Sequence, residues 1–275
     1  MTMQKKENIN SGLVRRKLQE VLPDGLLVNR NWLKKQGFNR PQVDYFLRSG
    51  MLVAAARGVY RRAGPPLKWQ HVLYSLQELG FAVHVGGRAA LDHQGLAHYL
   101  PMGAQQKIQL YSDGGLPGWL HEVETNAVFE VHRRSLFTRS EVSLGLTTLP
   151  FGGWDWPLNY ATRERALLEY LDELPDKADL DMADKYMESA TNLRPKLLMS
   201  LLQACSRVKT KRLFLWLAER YHPAWFDKLD IAALDLGSGK RVIFKSGVLN
   251  NKYNITVPRR FEQGDDSGGP KQPLF

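Results

Sequence analysis

The stretch SGMLVAAARGVYRR, residues 49–62, begins as an apolar strand and finishes with arginines set around a glycine and a tyrosine. Met51–Ala55 predict a strand, Ala56–Gly58 a turn and Val59–Arg62 a return strand. A hairpin this short has no interior that would take Arg57, Arg61 and Arg62. Their charge points to an anionic partner, and the elements before the hairpin suggest which one.

Upstream, Ser11 is a candidate cap for a helix through Leu13, Val14, Leu18, Val21 and Leu22, which Pro23 and Gly25 stop. Leu26–Val28 form a short extended piece. Asn29 caps a second helix, RNWLKKQ, ending at Gly37, and Asn39 caps a third, RPQVDYFLRS, with Pro41 in its first turn. In the third helix Val43, Phe46 and Leu47 share the buried face, which leaves Arg40, Gln42, Tyr45 and Arg48 pointing elsewhere. Helix, short strand, helix, helix, hairpin is the order of a winged helix-turn-helix. In that fold the third helix enters the major groove, and a wing carrying Arg57, Arg61 and Arg62 reaches phosphates or the minor groove. Arginine pairs two-pronged with guanine and glutamine with adenine, so Arg40, Gln42, Tyr45 and Arg48 are the candidate DNA contacts of the helix.

The charge distribution agrees. Of 275 residues, the first 70 hold 14 Lys+Arg against 4 Asp+Glu, while the remainder holds 24 of each. The whole excess of +10 therefore sits in the first quarter. A basic module joined to a neutral one suits a polyanion, DNA first. No run approaches the ~18 apolar residues of a membrane span, and the N-terminus has no apolar core of a secretory signal. With the single Cys205 excluding an internal disulfide, the expectation is a cytoplasmic protein with no membrane association.

Gly64, Pro65 and Pro66 in RRAGPPLKW read as a stiff linker. The expected organisation is a winged helix-turn-helix over 1–63, a larger mixed α/β domain over 64–260 and an unstructured tail over 261–275, an α+β protein as a whole. In the second domain WQHVLYSLQELG and GRAALDHQGLAHYL predict helices, FAVHV, KIQLYS and AVFEVHR predict strands, and Thr162 caps RERALLEYLDEL. Further helices are expected near 179–190, 195–206 and 209–221, with KRVIF and YNITVP as closing strands.

Chemistry-bearing motifs are sparse. HVGGRAAL, 84–91, sets two glycines and Arg88 between a strand and a helix; the glycines serve a tight turn, and the same turn offers amides to an anion. LGSGKR, 236–241, lacks the spacing of a phosphate loop and reads as a turn. His93 and His98 lie five apart on a predicted helix and face different ways, so with His84 and Asp92 they make no metal site. No cofactor, metal or catalytic residue is expected. In SRVKTKRLFLWLAERYH the aromatics read as core, while Lys209, Lys211 and Arg212, together with Arg88, Lys240 and Arg241, are candidate contacts for a partner or an anion.

Taken together, LPDGLLVNRNWLKKQGFNRPQVDYFLRSGML, RGVYRR, LKWQHVLYSLQ, HVGGRAALDHQGLAHYL, PGWL, TRERALLEYLDELP, VKTKRLFLWLAERYHPAW, LDLGSGKR and KYNITVP resemble the AbiEi antitoxins of bacterial type IV toxin–antitoxin systems, from about residue 11 to 258. The resemblance implies a winged helix that binds inverted repeats in the promoter of its own operon and represses it. It also implies a C-terminal domain that counteracts a neighbouring nucleotidyltransferase-fold toxin without needing a stable complex with it; no enzymatic activity is expected. Two rivals stand beside it: a ligand-sensing regulator without a toxin, and an enzyme that modifies toxin or nucleic acid.

Overall fold

The computed structural model describes residues 13–96, 106–132, 136–137, 143–153 and 155–262. The chain divides into two compact units: 1–85, 101–134 and 148–160 make the first, and 86–100, 135–147 and 161–275 the second.

The first unit opens with helix α1 over 13–21, ended ahead of Pro23; the proposed cap Ser11 lies outside the described residues. Strand β1 (Val28–Asn29) leads into α2 (Arg30–Lys35), where the Asn29 side chain accepts from the Trp32 amide. Asn39 caps α3 (Arg40–Arg48) through a reciprocal capping box with Gln42. Strands β2 (Leu52–Ala56) and β3 (Val59–Arg62) form the hairpin, with a bulge between Ala54 and Ala56 and Gly58 at a φ of 75° in the turn. The sheet order is β1-β3-β2, so β3 sits in the middle. Leu18, Leu22, Val28, Leu33, Val43, Phe46 and Leu52 close a single core. This is a winged helix-turn-helix.

That core also takes in Trp156. Helix α4 (Trp69–Glu78) lies beneath the winged helix: the Leu27 amide donates to Ser75 Oγ at 2.8 Å, and Tyr74 stacks on Trp156. Gly25 has a φ of 86°, and a Cβ there would lie 2.3 Å from the His71 ring, so both backbone conformation and space call for glycine. Strands β4 (His84–Val85), β5 (Gln106–Tyr111), β6 (Ala127–His132), β7 (Leu146–Phe151) and β8 (Trp156–Ala161) form a sheet in the order β6-β5-β4-β8-β7. Pairing is parallel between β5 and β6 and between β4 and β8, and antiparallel between β4 and β5. Gln77 fastens α4 to β8: its Nε2 donates to the Pro157 carbonyl, and its Oε1 accepts from the Asn159 amide. Only His84 and Val85 of the expected strand FAVHV pair, and the sequence reading provides no strand for 146–161.

The second unit is mainly helical. The expected long helix after GG is broken: α5 (Gly87–Leu91) runs into a π-type turn at Asp92–Leu96, where Gly95 has a φ of 83°, and 97–100 lie outside the described residues. Helices α6 (Arg163–Asp172), α7 (Leu180–Ser189), α8 (Pro195–Ala204) and α9 (Val208–Tyr221) follow. Thr162 stands at the N-cap of α6, but its hydroxyl makes no cap hydrogen bond. Helix α9 is buried all round from Thr210 to Ala218, as suits a central helix. The expected strand KRVIF does not form; only an isolated bridge joins Arg241 to Ile255. The reason is competition for its backbone, since Thr256 Oγ1 accepts from the amides of both Ile243 and Phe244. Strand β9 (Val248–Asn250) instead pairs antiparallel with β10 (Ile255–Val257). A short helical turn, α10 (Arg259–Glu262), buries Phe261, and residues 263–275 lie outside the described residues.

Candidate nucleic-acid interface

At 3.6 residues per turn, burial of Val43 and Phe46 turns Arg40, Asp44, Tyr45 and Arg48 of α3 outward. The four predicted contacts differ in their attachments. Arg40 is exposed and stands 3.8 Å from Asp44 one turn on. Gln42 is drawn into the capping box, its Oε1 accepting from the Asn39 amide at 2.9 Å. Tyr45 is half-buried, its hydroxyl accepting from the Arg15 guanidinium at 2.6 Å, with the same cation above its ring. Arg48 is exposed, and its Nε donates to the Asp44 carbonyl at 3.3 Å.

Three residues absent from the sequence reading join this face. Arg30, the first residue of α2, donates to Asp44 Oδ1 at 2.8 Å and to the Tyr60 hydroxyl of β3 at 3.3 Å, with its guanidinium 5.7 Å from the Tyr60 ring centroid. Asp44 and Tyr60 hold the Arg30 proton more tightly, and the bond from Arg30 pulls the Asp44 carboxyl below its usual range. Arg15 of α1 approaches α3 through Tyr45. The spacing of Asp44, four residues from both Arg40 and Arg48, was a readable sign that the acid belongs to this cluster. Nothing in the sequence paired it with Arg30. Arg30, Asn31, Lys34, Asn39 and Arg40 line an open groove of about 730 Å³ between α2 and α3.

The wing arginines divide. Arg57 is exposed at the hairpin tip, where its backbone amide donates to Glu122 Oε2 at 3.3 Å. Arg61 turns back on the linker, donating to the carbonyls of Gly64 and Pro65. Arg62 donates to the Leu22 carbonyl and pairs with Asp24 at 3.2 Å, which secures the hairpin to the end of α1. Of the three, Arg57 is the one whose guanidinium the fold leaves pointing outward.

In the second unit the expected cluster of cations is not assembled on the surface. Arg212 is buried, and its guanidinium donates to the carbonyls of Leu236, Gly237, Gly239 and Asn254. Lys211 is buried too. Lys209 donates to the carbonyls of Asp172 and Leu174, and burial lowers its pKa. Lys209 and Arg212 serve the interior by donating to carbonyls at helix ends and in irregular segments. Lys240 and Arg241 remain exposed on the loop that Arg212 holds. Arg88 pairs with Asp92 at 3.3 Å. At the double glycine the amide is taken internally: the Gly87 N–H donates to the buried Glu169 carboxylate, itself paired with buried Arg165 at 2.7 Å.

His84 stacks against Tyr111. Asp92 accepts from the Tyr186 hydroxyl, and His98 lies outside the described residues. Among the described residues no three His, Cys, Asp or Glu side chains converge as metal ligands. No helix among them is long and apolar enough to cross a membrane.

Comparison with known proteins places this geometry. The chain matches a solved structure, the crystal structure of RV2827C protein from Mycobacterium tuberculosis, with a TM-score of 0.54 and 13% identity over 88% of this chain and 89% of that one, a likeness of fold. A search of curated proteins returns no significant match. Residues 14–102 match the family described as transcriptional regulator, AbiEi antitoxin N-terminal domain, and residues 105–258 match that described as transcriptional regulator, AbiEi antitoxin, type IV TA system. Two matches that together span nearly all of the described chain, joined to a winged helix at its start, assign the protein: it belongs to the AbiEi family of antitoxin transcriptional regulators of type IV toxin–antitoxin systems.

Proposed function

We propose that this regulator represses its own operon in the cytoplasm by binding inverted repeats in the promoter through residues 1–63. In this reading α3 enters the major groove, Arg40 and Arg48 make the principal contacts, and Arg57 of the wing reaches the flanking backbone. The observation that carries the reading is the outward face of α3. Its arginines lie in the part of the chain that holds the entire charge excess. Gln42 and Tyr45 contribute from the edges of that face, and Arg61 and Arg62 chiefly shape the wing.

The later part, 64–260, counteracts a neighbouring nucleotidyltransferase-like toxin without a stable complex and without an enzymatic step of its own. Lys240 and Arg241 are its candidate contacts. Fluorescence anisotropy with the protein's own upstream DNA and a scrambled duplex, each at two salt concentrations, tests the first half. Sequence-dependent binding that weakens with salt is expected. Equal binding to both duplexes would remove operator recognition. Co-expression with the adjacent reading frame tests the second half, with restored growth as the expected outcome.

A further inference from the structure

We propose that Asp44 is a specificity-determining residue of the DNA interface, its carboxylate gathering Arg30 and Arg40 and accepting a hydrogen bond from the N4 amino group of an operator cytosine. The proposal rests on the reading of α3 as the helix that enters the major groove.

A carboxylate in the middle of a DNA-facing helix opposes every phosphate it approaches. Yet Asp44 lies on the outward face of α3, one turn from Arg40 and one turn from Arg48. It is also the point to which the neighbouring cations are tied: Arg30 at 2.8 Å, Arg40 at 3.8 Å, and Arg48 through the Asp44 backbone carbonyl. Through Arg30 the acid reaches Tyr60, so one side chain links α2, α3 and the central strand of the wing. Salt bridges this exposed add little stability. Their effect is on position and on charge: Asp44 offsets part of the field of three arginines and fixes the direction from which at least one of them approaches DNA.

The chemistry of the carboxylate narrows what it accepts. It carries acceptors only, as do phosphates and the guanine and thymine edges that present N7, O6 and O4. The major-groove donors are the amino groups of cytosine and adenine. Adenine places its N7 acceptor beside the amino group, against the carboxylate, whereas cytosine presents its donor without an acceptor next to it. With Arg40 and Arg48 on either side suited to guanine, the set Arg-Asp-Arg matches a G·C-containing half-site.

The test uses the full-length protein, as wild type, Asp44→Asn, Asp44→Ala and Arg30→Gln, with thermal melting to establish that each variant is folded. Affinities are measured for the upstream DNA, for a scrambled duplex and for a panel of single base-pair changes across the bound site, at two salt concentrations. Asp44→Asn and Asp44→Ala are expected to bind scrambled DNA about three- to tenfold more tightly, with the ratio of specific to scrambled affinity falling about tenfold. At one position where the wild type requires cytosine, Asp44→Asn is expected to favour adenine, because an amide both donates to N7 and accepts from N6. Arg30→Gln, which frees the carboxylate from its nearest cation, should weaken scrambled binding more than specific binding. A wild type that discriminates, beside folded Asp44 variants whose ratio stays within about twofold, overturns the inference and leaves operator binding standing. Equal loss on both DNAs in folded variants overturns it as well, since Asp44 would then only scaffold the arginines. A wild type that fails to discriminate removes operator recognition and this inference with it.

Discussion

The rings of Tyr74 and Trp156 lie stacked, with centroids 4.3 Å apart and planes 15° apart. One belongs to α4, beyond the linker, and the other to a strand more than ninety residues downstream of the wing, yet Trp156 closes the core of the winged helix. The winged helix is therefore finished by residues that the linker separates from it. Trp156→Ala leaves a large void beside Tyr74 and His71 in this core and should cost ~3–5 kcal/mol of stability. Urea denaturation followed by far-UV circular dichroism measures it. A cost below about 1 kcal/mol would show that the module's core closes without β8.

Arg40→Ala and Arg48→Ala separate two kinds of contact. If the side chain reads a base, specific binding falls by ~1–3 kcal/mol and preference relaxes at one position. If it holds a phosphate, affinity drops on all sequences and the salt slope decreases by about one. Arg62→Ala should behave differently, losing the tie to Leu22 and Asp24 and so lowering stability before it alters sequence preference. Docking by α3 is untenable if neither Arg40 nor Arg48 matters on any DNA.

Arg212→Ala removes a buried guanidinium that serves the carbonyls of Leu236, Gly237, Gly239 and Asn254. The expected loss is ~2–4 kcal/mol, since a charge-assisted set of hydrogen bonds and the packing of a buried side chain are lost together. Arg212→Lys should recover only part of it, because an ammonium cannot reproduce the planar fork. DNA affinity of the folded fraction should not change. Full rescue by lysine would argue that charge alone, and not the set of carbonyl bonds, holds the 236–239 loop.

Glu164 provides a pH signature. It is buried, and burial raises its pKa, but three hydrogen bonds from Arg194 outweigh that and leave the carboxyl below its ordinary 4.5. A group whose folded pKa is depressed stabilises above its unfolded pKa and loses that contribution as pH falls through the folded value. Stability should therefore decline as pH drops below about 4.5, and Glu164→Gln should both reduce stability near neutrality and flatten this acid limb. Parallel pH profiles for the two proteins would assign the acid sensitivity to other groups.

Legibility followed the range of the interactions. The capping residues Asn29 and Asn39, the helix stop ahead of Pro23 and the glycine turn of the wing act within a few residues, and the sequence carries each of them. Strand β8 was missed although Trp156, Leu158 and Tyr160 alternate, because Pro157 and Asn159 interrupt a pattern that becomes a strand through pairing with β4. KRVIF erred in the other direction: its apolar run is real, but the Thr256 hydroxyl claims the amides of Ile243 and Phe244 on which a strand would depend.

The sequence by itself determined the winged helix, the position of its charge excess and the family resemblance. Only the tertiary structure decided which cations meet the outside. Arg40 and Arg212 are both helical arginines, one between Asn39 and Pro41 and the other between Lys211 and Leu213, and neither setting by itself fixes what the side chain meets. One ends exposed beside Asp44, and the other is drawn inward by carbonyls from 24 to 42 residues away. The fate of a long cationic side chain depends on which polar groups the fold leaves unpaired, and that is settled only when distant segments meet.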